Sequence, residues 1–159
     1  VTDLPLSEKG KAQAEKTGRW LREKHIGAVY SSPLRRCMQT ARAAGDKKEI
    51  FTDSGLREMD TGRWENLTFQ EIRSRYPEQY AARGENIGYY APPGGESFCQ
   101  AGMRFGKALD RIRRRSEENL LIVSHAGVIR GYLCMLLGRD MNQVMDLPQP
   151  SSRSILTPA

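Results

Sequence analysis

The chain is poor in the residues that carry metal and redox chemistry. It has two histidines, His25 and His125, and three cysteines, Cys37, Cys99 and Cys134. The cysteines are odd in number, widely spaced and free of any C-x-x-C pair, so neither a disulfide framework nor a zinc site is supported, and no metal is expected. No apolar run approaches a membrane span, and the start lacks a secretory-signal pattern, which excludes a membrane partner and makes the cytoplasm the expected compartment. The chain also has no Lys/Arg stripe interleaved with aromatics, which counts against nucleic acid despite 25 Lys+Arg over 19 Asp+Glu. Much of that excess lies in Arg111, Arg113, Arg114 and Arg115, read as a solvated helix end favoured by the macrodipole. Internal repeats and interdomain linkers are missing too. With 38% hydrophobic and 28% charged residues, residues 1–159 read as a single domain with a real core. The first residue is Val1 rather than Met, so the expectation is that something upstream is absent from the sequence or was processed away.

What is present is organised around Leu120-Leu-Ile-Val-Ser-His-Ala-Gly-Val-Ile-Arg-Gly131. An apolar run of strand length, closed by Ser-His-Ala-Gly and followed by an apolar-rich stretch, reads as a buried parallel strand turning into a helix. That turn puts His125 at a strand's carboxyl end, where ligands of open α/β sheets collect. The N–H groups of the next helix, around Gly127 to Ile129, then offer an anion site beside the imidazole.

The same geometry is expected earlier. Gly27 to Ser31 reads as a short strand, and Ser32-Pro33-Leu34-Arg35-Arg36 opens a helix with proline at its first position. Arg36 then lies in a first helical turn, where the dipole disfavours a cation unless an anion meets it. Before this strand, Ser7 is a candidate N-cap for an amphipathic helix to about Lys24, and His25 follows as a helix-end residue without a catalytic role. After it come a weak strand at Glu49 to Thr52, loop or extended chain from Leu56 to Glu65, and short helices at Phe69 to Tyr76 and Glu78 to Arg83 separated by Pro77. A Pro-Gly-rich break precedes a long helix from Phe98 to Arg115. A short helical segment from Asn142 and an edge strand at Ser154 to Leu156 complete the pattern. Alternating strands and helices indicate an α/β fold, three-layer α/β/α with a mostly parallel central sheet.

Five segments carry a resemblance: Leu4-Pro-Leu-Ser-Glu-Lys-Gly, Ser31-Ser-Pro-Leu-Arg-Arg-Cys-Met-Gln-Thr-Ala, Leu56-Arg-Glu-Met-Asp-Thr-Gly-Arg-Trp-Glu, Pro93-Gly-Gly-Glu-Ser and Ser124-His-Ala-Gly-Val. In this order they resemble the histidine phosphatase superfamily, in its phosphoglycerate-mutase-like branch. The resemblance implies that Arg36 grips the transferred phosphoryl group and that Glu58 gives a proton to the leaving group and later activates water. It also implies that His125 donates a hydrogen bond to the phosphoryl oxygens, with the backbone of Ala126 beside it. Apart from the resemblance, Glu58 could be a surface carboxylate paired with Arg57 or Arg63.

The departure from the family is at the start. Similar enzymes open with a central strand ending in Arg-His-Gly, whose histidine is the nucleophile, and no segment here matches it. His25 is no substitute, since it has neither the preceding Arg nor the following Gly. The expectation is a domain lacking its first central strand in the given sequence, with the nucleophile upstream of Val1 and a gap between the strand ending at Ser31 and the strand ending at Ser124. A smaller departure is Asn66, where the family often has glycine.

The residue types suit phosphoryl chemistry. An arginine fork, an imidazole and helix amides can neutralise a phosphomonoester dianion, an attacking imidazole splits hydrolysis into two transfers, and a carboxyl group protonates the leaving oxygen. No cofactor is expected, and the expected partner is a small phosphorylated substrate. The Leu56 to Glu65 segment together with Pro92-Pro-Gly-Gly-Glu-Ser resembles the α-ribazole 5′-phosphate phosphatases of cobalamin assembly, although broad-specificity sugar-phosphate phosphatases look similar. Alternatives are a non-catalytic phosphoryl-ligand-binding domain and a mutase-type phosphotransferase, the latter disfavoured by the compact chain.

Overall fold

The computed structural model describes residues 2–115 and 119–148. At its centre is a parallel sheet of β1 (Ile26–Ser31), β2 (Ile50–Thr52) and β3 (Asn119–Val123), ordered β2-β1-β3. Alternate side chains feed two cores. Val29, Leu121 and Val123 pack with Cys37 and Ala41 of α2 (Arg35–Ala44) on one face. Ala28, Tyr30, Leu120 and Ile122 pack on the other with Phe105, Ala108 and Ile112 of α5 (Phe98–Arg113) and Val128 of α6 (Ala126–Leu136). Burial on both faces is why these strands read as continuous apolar runs, and each large side chain so buried contributes roughly 1.5–3 kcal/mol. With α1 (Glu8–Leu21) against α2, and α5 against α6, the architecture is the expected three-layer α/β/α. α5 and α6 approach closely because Gly131 faces the Phe98 carbonyl, where a Cβ would lie 2.3 Å from the oxygen.

The sheet corrects one expectation. β1 and β3 are direct neighbours, with Val29 opposite Leu121, Tyr30 opposite Ile122 and Ser31 opposite Val123. The Ser32 N–H carries the ladder one step further, onto Val123 O at 2.8 Å. No gap therefore lies between the strand ending at Ser31 and the strand before Ser124. Both edges of β1 are used, by β2 and β3, whereas β3 pairs on one edge only among the described residues. β1 has no edge left for a further strand, because a strand has only two, and the free edges among the described residues are the outer ones of β2 and β3.

Local chemistry explains the element boundaries. Ser7 caps α1 by accepting the Gly10 N–H at 3.2 Å. A short 3-10 turn over Arg22–Lys24 comes next, ending at His25 in the left-handed region, φ 48°. α2 begins at Arg35, later than expected, and Pro33 stays outside it. Leu34 is extended, the Leu34 N–H is held by Ser32 Oγ at 3.3 Å, and the first helical N–H, of Arg35, is capped by Asp3 Oδ1 at 2.6 Å. Pro77 opens α4 (Pro77–Glu85) rather than merely separating it from α3 (Phe69–Arg75), since proline at a first helical position gives up no needed donor. Ser97 and Gln100 form a capping box at the start of α5, which ends at Arg113. Arg111 is not merely solvated but pairs with Asp53 at 3.0 Å. The segment expected from Asn142 is a 3-10 helix, Met141–Asp146. The edge strand expected at Ser154 to Leu156 lies outside the described residues. No helix among the described residues is long and apolar enough to cross a membrane.

Candidate active site

The carboxyl ends of β1 and β3 lie side by side, and the chain leaving each strand builds the site. β3 runs into Ser124 and then His125, which is the extended N-cap of α6 (φ −121°, ψ 152°). The first internal bond of α6 is made by the Ile129 N–H to His125 O at 3.0 Å. The α6 amides left without a helical partner are therefore those of Ala126, Gly127 and Val128, a correction of one residue to the Gly127 to Ile129 expectation, and of these Val128 is fully buried. Ala126 is exposed, whereas His125 is 5% exposed.

His125 is gripped from the β1 side. Its Nε2 is 2.8 Å from Ser32 Oγ, and the Cys37 Sγ lies 3.4 Å from Nε2 and 3.7 Å from Nδ1. Burial first, and then the positive charges of Arg36 and Arg104, push the imidazole down to about 3, so the ring is neutral at physiological pH. Burial likewise pushes the Cys37 thiol up to about 11, despite the opposing charge of Arg36. Cys37 is thus an uncharged packing group against the histidine rather than a reactive thiolate.

Glu58 arrives from the chain after β2. Its Oε2 is 3.9 Å from His125 Nδ1, while Oε1 accepts the Met59 N–H at 2.9 Å. The carboxylate packs against the start of α6 so closely that a Cβ on Gly127 would fall 2.7 Å from Oε1. Glu58 therefore faces the histidine and is not the surface partner of Arg57 or Arg63. The loop that carries it is pinned twice. Ser124 Oγ donates to Leu56 O at 2.7 Å. Arg104 of α5 commits all five of its N–H donors there: to Gly55 O, Arg57 O and Glu58 O, and to both oxygens of Glu96. Those bonds hold the Glu96 carboxyl below the usual carboxylate range. Glu96 also accepts the Asp60 N–H at 3.1 Å, so the pair ties both sides of the Glu58 loop to α5.

Arg36 stands in the first turn of α2, half-buried, with one N–H donated to Thr2 O at 2.9 Å. Its positive charge is felt by both Cys37 and His125, lowering the pKa of each. Thr2 and Asp3 form a strap across this edge. Asp3 caps α2, and the Thr2 hydroxyl lies within hydrogen-bond distance of Glu65 Oε1 and of Asn66 Oδ1, the latter at 2.7 Å, with one proton to give. Asn66 has φ 62°, a left-handed conformation that asparagine tolerates and glycine adopts freely, so the asparagine fits the turn in place of the expected glycine. His25 precedes β1 and so lies at the opposite end of the strands from His125.

The structure thus brings His125, Glu58 and the start of α6 together, with Arg36 beside them. Sequence reasoning did not anticipate Arg104, Ser32, Cys37, Thr2 or Asp3 at this site. Ser32 and Cys37, within Ser31-Ser-Pro-Leu-Arg-Arg-Cys, and Glu96, within Pro-Gly-Gly-Glu-Ser, lay in segments that carried a signal, whereas Arg104, Thr2 and Asp3 did not. Two surface cavities lie nearby. The larger, about 430 Å³, is lined by Arg104, Lys107 and Arg111 among others. The smaller, about 250 Å³, is lined by Met59, Trp64, Tyr90 and Phe98 among others. Neither is lined by His125 or Arg36. No cluster of three or more His, Cys, Asp or Glu side chains suited to a metal ion occurs among the described residues.

Comparison with known proteins places these features. A family model described as the histidine phosphatase superfamily (branch 1) matches residues 1–157. Phosphoserine phosphatase 1 of Hydrogenobacter thermophilus is 32% identical over 146 residues, which cover 90% of this chain and 69% of that protein. Human 6-phosphofructo-2-kinase/fructose-2,6-bisphosphatase 3 is 33% identical over 150 residues, 93% of this chain but only 28% of that much longer protein. Among solved structures, the α-ribazole phosphatase of Shigella flexneri superposes with a TM-score of 0.80 at 26% identity, covering 91% of this chain and 73% of that one.

Proposed function

The chain belongs to the histidine phosphatase superfamily, branch 1, and on that premise we propose that it is the phosphate-gripping and acid–base portion of a phosphomonoesterase acting on small phosphate esters. The observation that carries this reading is the meeting of Glu58 and the neutral His125, 3.9 Å apart, at the start of α6. In the proposed reaction a histidine nitrogen, supplied by an Arg-His-Gly segment upstream of Val1, attacks phosphorus while the bond to the ester oxygen breaks. Glu58, protonated, gives its proton to that oxygen and the alcohol leaves. The resulting carboxylate takes a proton from water as the water oxygen attacks phosphorus, which releases orthophosphate and restores the nucleophile. Arg36, His125 Nδ1 and the amides of Ala126 and Gly127 hold the phosphoryl oxygens throughout.

Within this class, α-ribazole 5′-phosphate is our candidate substrate. It is supported by the likeness of Leu56 to Glu65 and Pro92 to Ser97 to phosphatases of that ester, and by the solved relative of that name. The aromatic-rich cavity beginning at Met59, next in chain to the proposed acid, suits a leaving group with a ring system. A second reading, phosphoryl-ligand binding without turnover, is favoured by the single imidazole that the described residues bring to the site. Hydrolysis of p-nitrophenyl phosphate by the protein carrying the Arg-His-Gly segment separates the two. Under the phosphatase reading, His125→Ala lowers turnover by roughly 10²–10³, as for loss of one preformed oxyanion donor. Unchanged turnover in that variant refutes the assignment. Orthophosphate binding by the wild-type protein with no hydrolysis establishes the binding-only reading.

A further inference from the structure

Ser32 is fully buried at the end of β1, and its hydroxyl has two neighbours that constrain it. The Leu34 N–H, 3.3 Å away, can only donate, and so occupies one of the lone pairs of Oγ. The other neighbour, at 2.8 Å, is Nε2 of His125, which donates or accepts according to the tautomer. An uncharged imidazole carries one N–H, so two proton arrangements compete. If Nε2 holds the proton, it donates to Oγ, the serine proton turns to the weakly accepting Cys37 sulfur, and the bare lone pair of Nδ1 stands 3.9 Å from the Glu58 carboxylate. The Ser31 hydroxyl is committed to Ser32 O at 2.9 Å, and the Cys37 thiol donates to Ser124 O at 3.4 Å. If the serine proton instead lies on the bond to Nε2, it has a strong nitrogen acceptor, Leu34 N–H keeps Ser32 Oγ, Cys37 S–H keeps Ser124 O, and the Nδ1 proton lies toward the Cys37 sulfur at 3.7 Å and the Glu58 carboxylate at 3.9 Å. A buried hydroxyl proton is better placed on nitrogen than on sulfur, and a proton rather than a lone pair on Nδ1 faces the Glu58 carboxylate, which decides between the two.

We propose that Ser32 is a positioning residue that fixes His125 as the Nδ1–H tautomer. The proton then sits on the nitrogen that faces Glu58 and the start of α6, so the site presents a neutral N–H donor to a bound phosphoryl oxygen. Cys37, packed on the ring edge, keeps the imidazole in the plane where the serine bond forms. The functional meaning of this device rests on the phosphoryl-binding reading above, but the tautomer itself does not.

The experiment is long-range ¹H–¹⁵N NMR of the ¹⁵N-labelled protein, which distinguishes a protonated from an unprotonated ring nitrogen. Only two histidines are present, and His25→Asn removes the other at a left-handed position that asparagine accepts. The wild-type ring is expected to show Nδ1 protonated and Nε2 unprotonated. Ser32→Ala is expected to shift the ring to a mixture or to the Nε2–H form, and to weaken orthophosphate binding about tenfold, as for loss of one donor to a charged oxygen. A wild-type ring protonated at Nε2, or a Ser32→Ala ring that stays Nδ1–H, overturns the proposal. The wild-type spectrum decides even if the variant fails to fold. Orthophosphate failing to bind a wild-type protein whose ring is Nδ1–H removes the phosphoryl-binding reading and leaves the tautomer assignment standing.

Discussion

Gly127 offers a test in which stability and activity should move in opposite directions. Its backbone is not in the left-handed region, so Gly127→Ala adds no backbone strain. The position lies in the first turn of α6, where replacing glycine by alanine favours the helix by up to about 1 kcal/mol. For a domain of this size that corresponds to a melting temperature higher by roughly 2–4 °C. The new Cβ, however, would sit 2.7 Å from Glu58 Oε1, 3.6 Å from its Cδ and 3.9 Å from Oε2. The first contact is closer than the 3.0 Å below which real Cβ atoms are essentially never found, so something must shift. Glu58 is the movable party, because its carboxylate is the far end of a flexible side chain and α6 is anchored against α5. A displacement well under 1 Å at a proton donor is enough to lower turnover by roughly 10- to 100-fold. The assay pairs thermal melting with p-nitrophenyl phosphate hydrolysis by the protein carrying the Arg-His-Gly segment. A Glu58→Ala background removes the clash, so adding Gly127→Ala there should cost little further activity. A variant that melts higher and hydrolyses at the wild-type rate would refute the reasoning, as would an equal additional loss in the Glu58→Ala background.

Three further outcomes are expected. Arg104→Ala strands three loop carbonyls and the Glu96 carboxylate, and since the pair is about a quarter exposed the cost should be near 2–3 kcal/mol, a fall in melting temperature of roughly 5–10 °C with reduced turnover. A melting temperature within about 1 °C of wild type would show that the clamp contributes nothing. The imidazole of His125 is depressed from 6.5 to about 3, so between those values the unfolded chain binds a proton that the folded one does not. Its contribution to stability is therefore complete above 6.5 and is lost as pH falls through that window, by up to about 1.4 kcal/mol per pH unit. Urea melts of wild type and His125→Gln between about pH 4 and 7 should show a shallower slope for the variant, and parallel slopes would contradict the burial argument. Finally, iodoacetamide on the folded protein should label Cys99, which is partly exposed, well before the buried Cys37 and Cys134, both pushed up by desolvation. Native-state labelling of Cys37 at the Cys99 rate would show that the His125 pocket opens.

Part of this molecule is written locally in its sequence. The runs at Gly27 to Ser31 and Leu120 to Val123, the caps Ser7 and Ser97, and the turns that place Arg36 and His125 after strand ends all come from spacing and residue type, because helices and strands report burial through short-range periodicity. The motif segments likewise carry the family resemblance. What the sequence left open is partnership between distant segments. That β1 and β3 pair directly depends on which edges meet, and nothing within either strand specifies a neighbour some 90 positions away. Arg104 reads as one more cation on an amphipathic helix until folding brings three loop carbonyls and Glu96 around it. Asp3 reads as a loop residue until it caps a helix 32 positions on. Ser32 and Cys37 gain their bearing on His125 only across β1 and β3. Hydrogen bonds and desolvation act over a few ångströms in space, irrespective of sequence separation, so the tertiary structure alone decided the protonation and the support of the site that the motifs had marked.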